Sequence, residues 1–275
     1  MINYDLLNKF KDHLLINGKS YSTIRVYVKR VEEFLRNRDT TDFEKAVNDF
    51  ILKLRENKKP TTINGYINAL KSYTNFLKIK IIFPHDAKID SKLPDSFDEK
   101  YFEDEIISVV EQTSSEPIKM KAVLYFLFYS GLRIGEMNLI KRKDFDLDNN
   151  SVRVYIPKTR EERIVFYDNK VRDILKMFFE IEVEIDNAFN MTSVQIQNYI
   201  YSIKSHFTDI KLRPHLFRHS YATNLLKNGA DLLTVSKLLG HHNTKTTERY
   251  LNVTSDFMKE VYLKNIHAKE ENQND

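Results

Sequence analysis

The sequence predicts a two-domain protein that is mainly α-helical with a small β-sheet. Apolar residues recur at helical spacing through nearly the whole chain. One pair of segments, 151–156 and 163–166, has strand character instead, and residues 157–162 join them as a hairpin. The chain has 275 residues, more than the usual single-domain size of about 100 to 150 residues. Its helical pattern lapses once, over 81–97, where Pro84 and Pro94 interrupt any helix.

In the first 80 residues the pattern predicts four short helices. Leu7, Phe10 and Leu14 form the first apolar stripe, ended by Asn17 and Gly18. Ile24, Tyr27, Val28, Val31, Phe34 and Leu35 form the second. Thr41 followed by Glu44 resembles a capping box that starts the third, with Val47, Phe50, Ile51 and Leu54 on its apolar face. After Pro60 come Ile63, Tyr66, Ile67, Leu70, Tyr73 and Leu77. The domains are therefore expected at 1–80 and 98–275, with 81–97 as the linker. In the second domain helices are expected at 101–110, 120–129, 169–179, 193–207, 216–228 and 232–239. A short one near Tyr250 and a last from 255 to 266 follow.

Composition narrows the chemistry. There is no cysteine, which removes disulfides, thiolate metal sites and cysteine nucleophiles. No run of about 18 apolar residues indicates a membrane span, and the N-terminus lacks the pattern of a signal peptide, so a cytoplasmic protein is expected. The net charge of +4 is only mildly basic and is a poor argument for nucleic acid by itself. The distribution says more. Arg25, Lys29, Arg30, Arg36 and Arg38 form one basic group, Lys53, Arg55, Lys58 and Lys59 a second, and Lys141, Arg142 and Lys143 a third. Any one such run can be a solvated helix face; several flanking a phosphate site suit a DNA surface.

That site is suggested by Arg133, Lys158, His215 with Arg218, His241 and, nine residues later, Tyr250. Cleavage of a phosphodiester builds charge on the non-bridging oxygens, and arginine binds two oxygens at once without losing its own charge. A tyrosine hydroxyl can serve as nucleophile if a base accepts its proton, for which His215 is the candidate. Lys158, on the hairpin turn, can return a proton to the leaving 5′ oxygen. Glu136 lies one helical turn after Arg133, where it can orient that arginine. Each residue alone also reads as an ordinary surface or core group. His215 and His219 have an HxxxH spacing that is also a zinc pattern, but no glutamate stands in the HExxH position and no third ligand is evident.

The runs GLRIGEMNLI at 131–140, PKTREERIVF at 157–166, RPHLFRHSYATNLLKNGAD at 213–231 and LLGHHNTKTTERY at 238–250 resemble the tyrosine recombinases, or phage integrase family, and especially its short Xer-like members. SYSTIRVYVKRVEEFL at 20–35 and PTTINGYINALKSYTNFL at 60–77 resemble the core-binding domain, and KLPDSFDEKYF at 92–102 the lead-in to the catalytic domain. The resemblance implies a clamp of a helical, SAM-like core-binding domain and an α+β catalytic domain. It implies Arg133, Lys158, His215, Arg218 and His241 as the catalytic pocket and Tyr250 as the nucleophile, giving a 3′-phosphotyrosyl link and a Holliday junction. The implied partners are a double-stranded DNA recombination site, three further copies in a synaptic homotetramer, and an accessory translocase or second recombinase. No metal, ATP or other cofactor is implied, and no membrane. His242 stands where a small residue is usual, residues 179–190 are shorter and less regular than in many relatives, and an extra arm-type DNA-binding domain is not expected. Resolution of chromosome or plasmid dimers is the expected task. The alternatives are integration of a mobile element, type IB topoisomerase action, or a DNA-binding architectural protein without turnover. An apolar face on the last helix, carrying Phe257 and Val261, is expected to dock into a neighbouring subunit.

Overall fold

A computed structural model describes residues 3–88, 95–156 and 161–240. The chain divides into two compact units, Met1–Ser91 and Lys92–Asp275.

The first unit holds helices α1 (Tyr4–Ile16), α2 (Tyr21–Asn37), α3 (Phe43–Asn57) and α4 (Pro60–Leu77). Their starts are set by local chemistry. The side chains of Asn3, Ser20 and Asp42 accept hydrogen bonds from the amides of Leu6, Thr23 and Lys45, and Pro60 opens α4, where a missing N–H costs nothing. The cap of α3 is Asp42 rather than the expected Thr41, since a carboxylate also favours the positive end of the helix. The four apolar stripes meet in one core in which Phe10, Val31, Phe34, Val47, Ile67 and Leu70 are fully buried. Phe10 meets Tyr73 edge-on at 5.1 Å.

The chain beyond α4 is held to this unit. Ile81, Phe83 and Ala87 pack against its core. Asn64 donates to the Ala87 carbonyl at 3.0 Å and accepts from the Ala87 amide at 2.7 Å. Arg55 donates to the His85 carbonyl at 2.7 Å. One side-chain amide here replaces a backbone partner for an extended segment, which apolar periodicity cannot register.

The second unit begins with α5 (Glu99–Tyr101), which runs through a π-helical stretch, Phe102–Ile107, into α6 (Ser108–Thr113). Next is α7 (Pro117–Ser130), with residues 122–128 all buried, so it is the central helix and has no polar face. The short α8 (Ile134–Met137) leads to an antiparallel sheet of β1 (Phe145–Asp146), β2 (Ser151–Ile156) and β3 (Glu161–Phe166) in that order. Then come α9 (Asn169–Ile181), α10 (Ser193–Ser202), α11 (Pro214–Lys227) and α12 (Leu232–Leu239). In the β2–β3 ladder Val152 faces Val165 and Val154 faces Arg163. The valines are buried. The core is aromatic at the junction of α5, α7 and α11: Phe102 stacks on Phe128 at 4.4 Å, and Phe97 meets Phe217 edge-on at 5.3 Å.

This architecture is the expected mainly helical one with a small sheet. It differs in detail. The two-residue β1 and four-residue α8 are too short to carry a period. The helix expected over 193–207 stops at Ser202 and tightens into a 3₁₀ turn, Ile203–His206. Lys158, His241, Tyr250 and the helices expected near 250 and over 255–266 lie outside the described residues.

Gly131 ends α7 with φ +62°, and a Cβ there would stand 2.3 Å from Cδ1 of Tyr221. Both a left-handed backbone and a ring in the way oppose any side chain. Gly131→Ala is therefore expected to cost about 2–4 kcal/mol, the sum of a left-handed penalty and an overpacking penalty. Gly229→Ala, also left-handed but with nothing within 4 Å of a Cβ, is expected to cost only about 1–2 kcal/mol. Urea denaturation of both variants checks the difference.

Candidate active site

Four segment ends meet at the site, and Arg218 joins three of them. It lies on α11 and is 4% exposed. Its Nη1 donates to the Gly131 carbonyl at 2.6 Å and its Nη2 to the Leu239 carbonyl at 2.8 Å. These carbonyls belong to the C-terminal ends of α7 and α12, where helix carbonyls lack amide partners and carry partial negative charge. A guanidinium is thereby buried between two helix ends that need a cation.

Beyond Gly131 the chain turns, Leu132 is buried, and Arg133 stands extended as the residue that opens α8. The carboxylate of Glu136 reaches back to it. Oε2 accepts from the Arg133 amide at 3.0 Å and Oε1 from Arg133 Nη1 at 2.9 Å. Glu136 also accepts from Arg163 Nη2 at 2.8 Å, a contact the sequence reading missed. The Arg133 side chain keeps 41% of its surface, whereas Glu136 keeps 8% and Arg163 15%. The carboxylate is thus the buried centre of the group and Arg133 its open side. Burial pushes the Glu136 carboxyl up. The Arg163 charge, the Arg133 amide and the two guanidinium hydrogen bonds overcome this and hold it below the ordinary carboxylate value.

His215 lies in the first turn of α11, which starts at Pro214. Its ring keeps an open side, but its surroundings disfavour the cation. Partial burial comes first, followed by the charges of Arg218, Arg133 and Arg213, and together they hold its pKa below the usual histidine value. Arg213 is a second contributor that the sequence reading did not single out. Of the expected site residues, the structure brings Arg133, Glu136, His215 and Arg218 together. Among the described residues no three His, Cys, Asp or Glu side chains gather as a metal site.

Strand alternation offers a signal for Arg163. Along β3 Glu162, Ile164 and Phe166 are exposed while Val165 is buried, so a charge at 163 occupies an inward position. The basic runs divide on inspection. Arg25, Lys29, Lys53, Lys58 and Lys59 are exposed. Arg36 pairs with Glu32 at 2.6 Å, Arg38 lies over the Phe43 ring, and Arg142 lies over Phe179 and donates to its carbonyl. Lys141 reaches the Asp186 carbonyl. The third run therefore spends Lys141 and Arg142 on packing.

Residues 102–256, more than half of the chain, match the model of the phage integrase family. The chain belongs to the phage integrase family. The tyrosine recombinase XerA of Saccharolobus solfataricus is 30% identical over 94% of this chain and 92% of its own length. The tyrosine recombinase XerC of Staphylococcus carnosus is 29% identical over 77% of each chain. Among solved structures, the integrase of transposon Tn1549 in complex with a circular-intermediate DNA superposes with a TM-score of 0.73, covering 94% of this chain and 99% of that one at 18% identity. The protein is accordingly a tyrosine-type site-specific recombinase. No helix among the described residues is long and apolar enough to cross a membrane.

The charge environment of His215 has a measurable consequence. A histidine whose folded pKa is lowered contributes its full stability above the unfolded value of about 6.5 and loses it as pH falls toward the folded value. Histidine ring resonances should titrate with a midpoint below 6.5 for His215 in the folded protein. Replacing Arg213 by Gln should move that midpoint upward, because one of the three cations is removed while the buried Arg218 contact is kept. A midpoint at or above the ordinary value would contradict the field described here.

Proposed function

We propose that this recombinase acts as a Xer-like resolvase of chromosome or plasmid dimers, with Arg133, Lys158, His215, Arg218, His241 and Tyr250 as its catalytic residues and Glu136 as their support. The observation that carries the reading is the convergence of Arg133, which opens α8, with His215 and Arg218, both on α11, into one cationic group in which Arg133 and His215 are open to solvent. The names of the relatives given above, tyrosine recombinases XerA and XerC, support the Xer-like reading. Residues 1–80 are the DNA-binding domain in this reading, 81–97 the linker and 98–275 the catalytic domain, and the protein works in the cytoplasm, where its DNA is.

The chemistry follows from charge. Arg133 and Arg218 hold the non-bridging oxygens of the scissile phosphate and stabilise the charge that grows on them. The Tyr250 oxygen attacks phosphorus, and its proton passes to His215, which is neutral near pH 7 and able to accept it. The P–O5′ bond breaks as Lys158 protonates the leaving oxygen, and His241 donates a hydrogen bond to the phosphate. The 3′ end is then held as a phosphotyrosine. A 5′ hydroxyl from the partner duplex attacks it in reverse, so phosphodiester bonds are conserved without ATP or a divalent ion. Two duplexes require four active sites, hence a homotetramer in the synapse, with an accessory translocase or a second recombinase as further partners.

Tyr250→Phe is expected to bind DNA as the wild type does and to form no covalent adduct on a nicked suicide substrate in denaturing gels. The wild type should form it in excess chelator. Adduct in the Phe variant would move the nucleophile to another tyrosine. Adduct lost with chelator and restored by zinc would revive the HxxxH reading. Removing everything after Thr254 tests assembly. The shortened protein is expected to fold, to bind one site, and to form no synaptic tetramer in gel-shift assays. Normal tetramers would place the last helix outside the subunit contact.

A further inference from the structure

Arg163 touches the site, yet no step of the reaction above uses it. It projects inward from β3, its side chain is 15% exposed, and its Nη2 is 2.8 Å from Glu136. Its Nε and Nη1 are buried without a hydrogen-bond partner among the described residues. Nη1 lies 2.7 Å from where a Cβ on residue 240 would be, so the glycine at the end of α12 makes room for the guanidinium. Burying a cation with two unsatisfied donors is costly. A purely structural contact with a lone carboxylate is more cheaply replaced by apolar packing.

The charge balance gives a reason for retaining it. One carboxylate stands between two guanidinium groups. If Arg133 were the sole cation on Glu136, the pair would be neutral and the carboxylate would compete with a phosphate for Arg133. With Arg163 also bound, the group of three keeps one net positive charge, and Arg133, its exposed member, presents it outward. The buried carboxylate is also fixed from two directions, so Arg133 is aimed by a partner that cannot swing away.

We propose that Arg163 is a positioning residue for phosphate binding: by neutralising and anchoring Glu136 from the buried side, it leaves the charge and aim of Arg133 to the scissile phosphate. This rests on the reading of Arg133 as a phosphate ligand. It predicts that Arg163 matters in proportion to the negative charge of the scissile phosphate.

The test compares single-turnover cleavage, at saturating protein, of ordinary DNA and of DNA with a methylphosphonate at the scissile position, which lacks that charge. Arg163→Met is expected to cleave ordinary DNA on the order of 10–100-fold more slowly than the wild type, the usual cost of a lost charge-assisted hydrogen bond. On methylphosphonate DNA its deficit should shrink to within about 3-fold, as should that of Arg133→Ala, because the charge that the arginine serves is gone. Arg163→Lys, which keeps a cation inside the fold, should show the same selective loss at smaller amplitude, and it supplies the comparison if the Met variant does not fold. Each ratio of the two rates comes from one preparation, so inactive protein cancels. An equal loss on both substrates, or no loss on ordinary DNA, with a defective Arg133→Ala overturns the inference alone. Wild-type cleavage of ordinary DNA by Arg133→Ala overturns the reading of the site, and this inference with it.

Discussion

The guanidinium of Arg218, buried between the last carbonyls of α7 and α12, is the contact on which the architecture of the site depends. A cation of this size is expensive to remove from water, and its burial is sustained because both acceptors are helix ends with unmet hydrogen bonds. A neutral residue in its place would leave both carbonyls orphaned in the interior. The contact also sets position. By fixing the end of α7 it fixes the turn through Gly131 that delivers Arg133 and Glu136, and by fixing the end of α12 it fixes the point from which the chain leaves toward His241. The glycines that terminate the two helices, at φ +62° and +64°, permit the approach: a Cβ on either would strike Tyr221 or Arg163.

Around that anchor the site is assembled almost wholly from cations. Glu136 is the exception: burial pushes its carboxyl up, but the Arg163 charge and its hydrogen bonds from Arg133 and Arg163 hold it below the ordinary carboxylate value. Partial burial of His215, and then the unbalanced positive field that results, hold its pKa below the usual histidine value. A field of this kind has little structural use by itself and suits an anionic ligand. For a site-specific recombinase the anion such a field suits is the phosphate of DNA. On the N-terminal unit Arg25, Lys29 and the lysines at 53, 58 and 59 are exposed, and such solvated charges are readily screened by salt.

Much of this was legible in the sequence because the relevant signals are local. The stripes through Phe10, Val31, Phe34 and Leu70 specify helices by spacing alone, and the valines of β2 specify a strand by alternation. Arg133 and Glu136 were paired from a three-residue interval. The missed features are those in which a side chain serves a distant backbone or a buried charge. Asn64 holding Ala87, Arg218 holding two helix ends, and Arg163 completing the Glu136 group all join residues 21 to 87 positions apart or nearly so, and periodicity carries no information on such pairs. The basic run at 141–143 was misleading for the same reason. Its composition matches a DNA surface, but Arg142 is turned onto Phe179.

Amide hydrogen exchange on Arg218→Lys tests the central claim most directly. Lysine keeps the charge but cannot span two carbonyls in fixed directions. The account predicts faster exchange at the C-terminal turns of α7 and α12 and in α8, with the helices of the N-terminal unit unchanged. Exchange in those three segments identical to that of the wild type would mean that the helix ends are held in place by something other than Arg218, and would contradict the account.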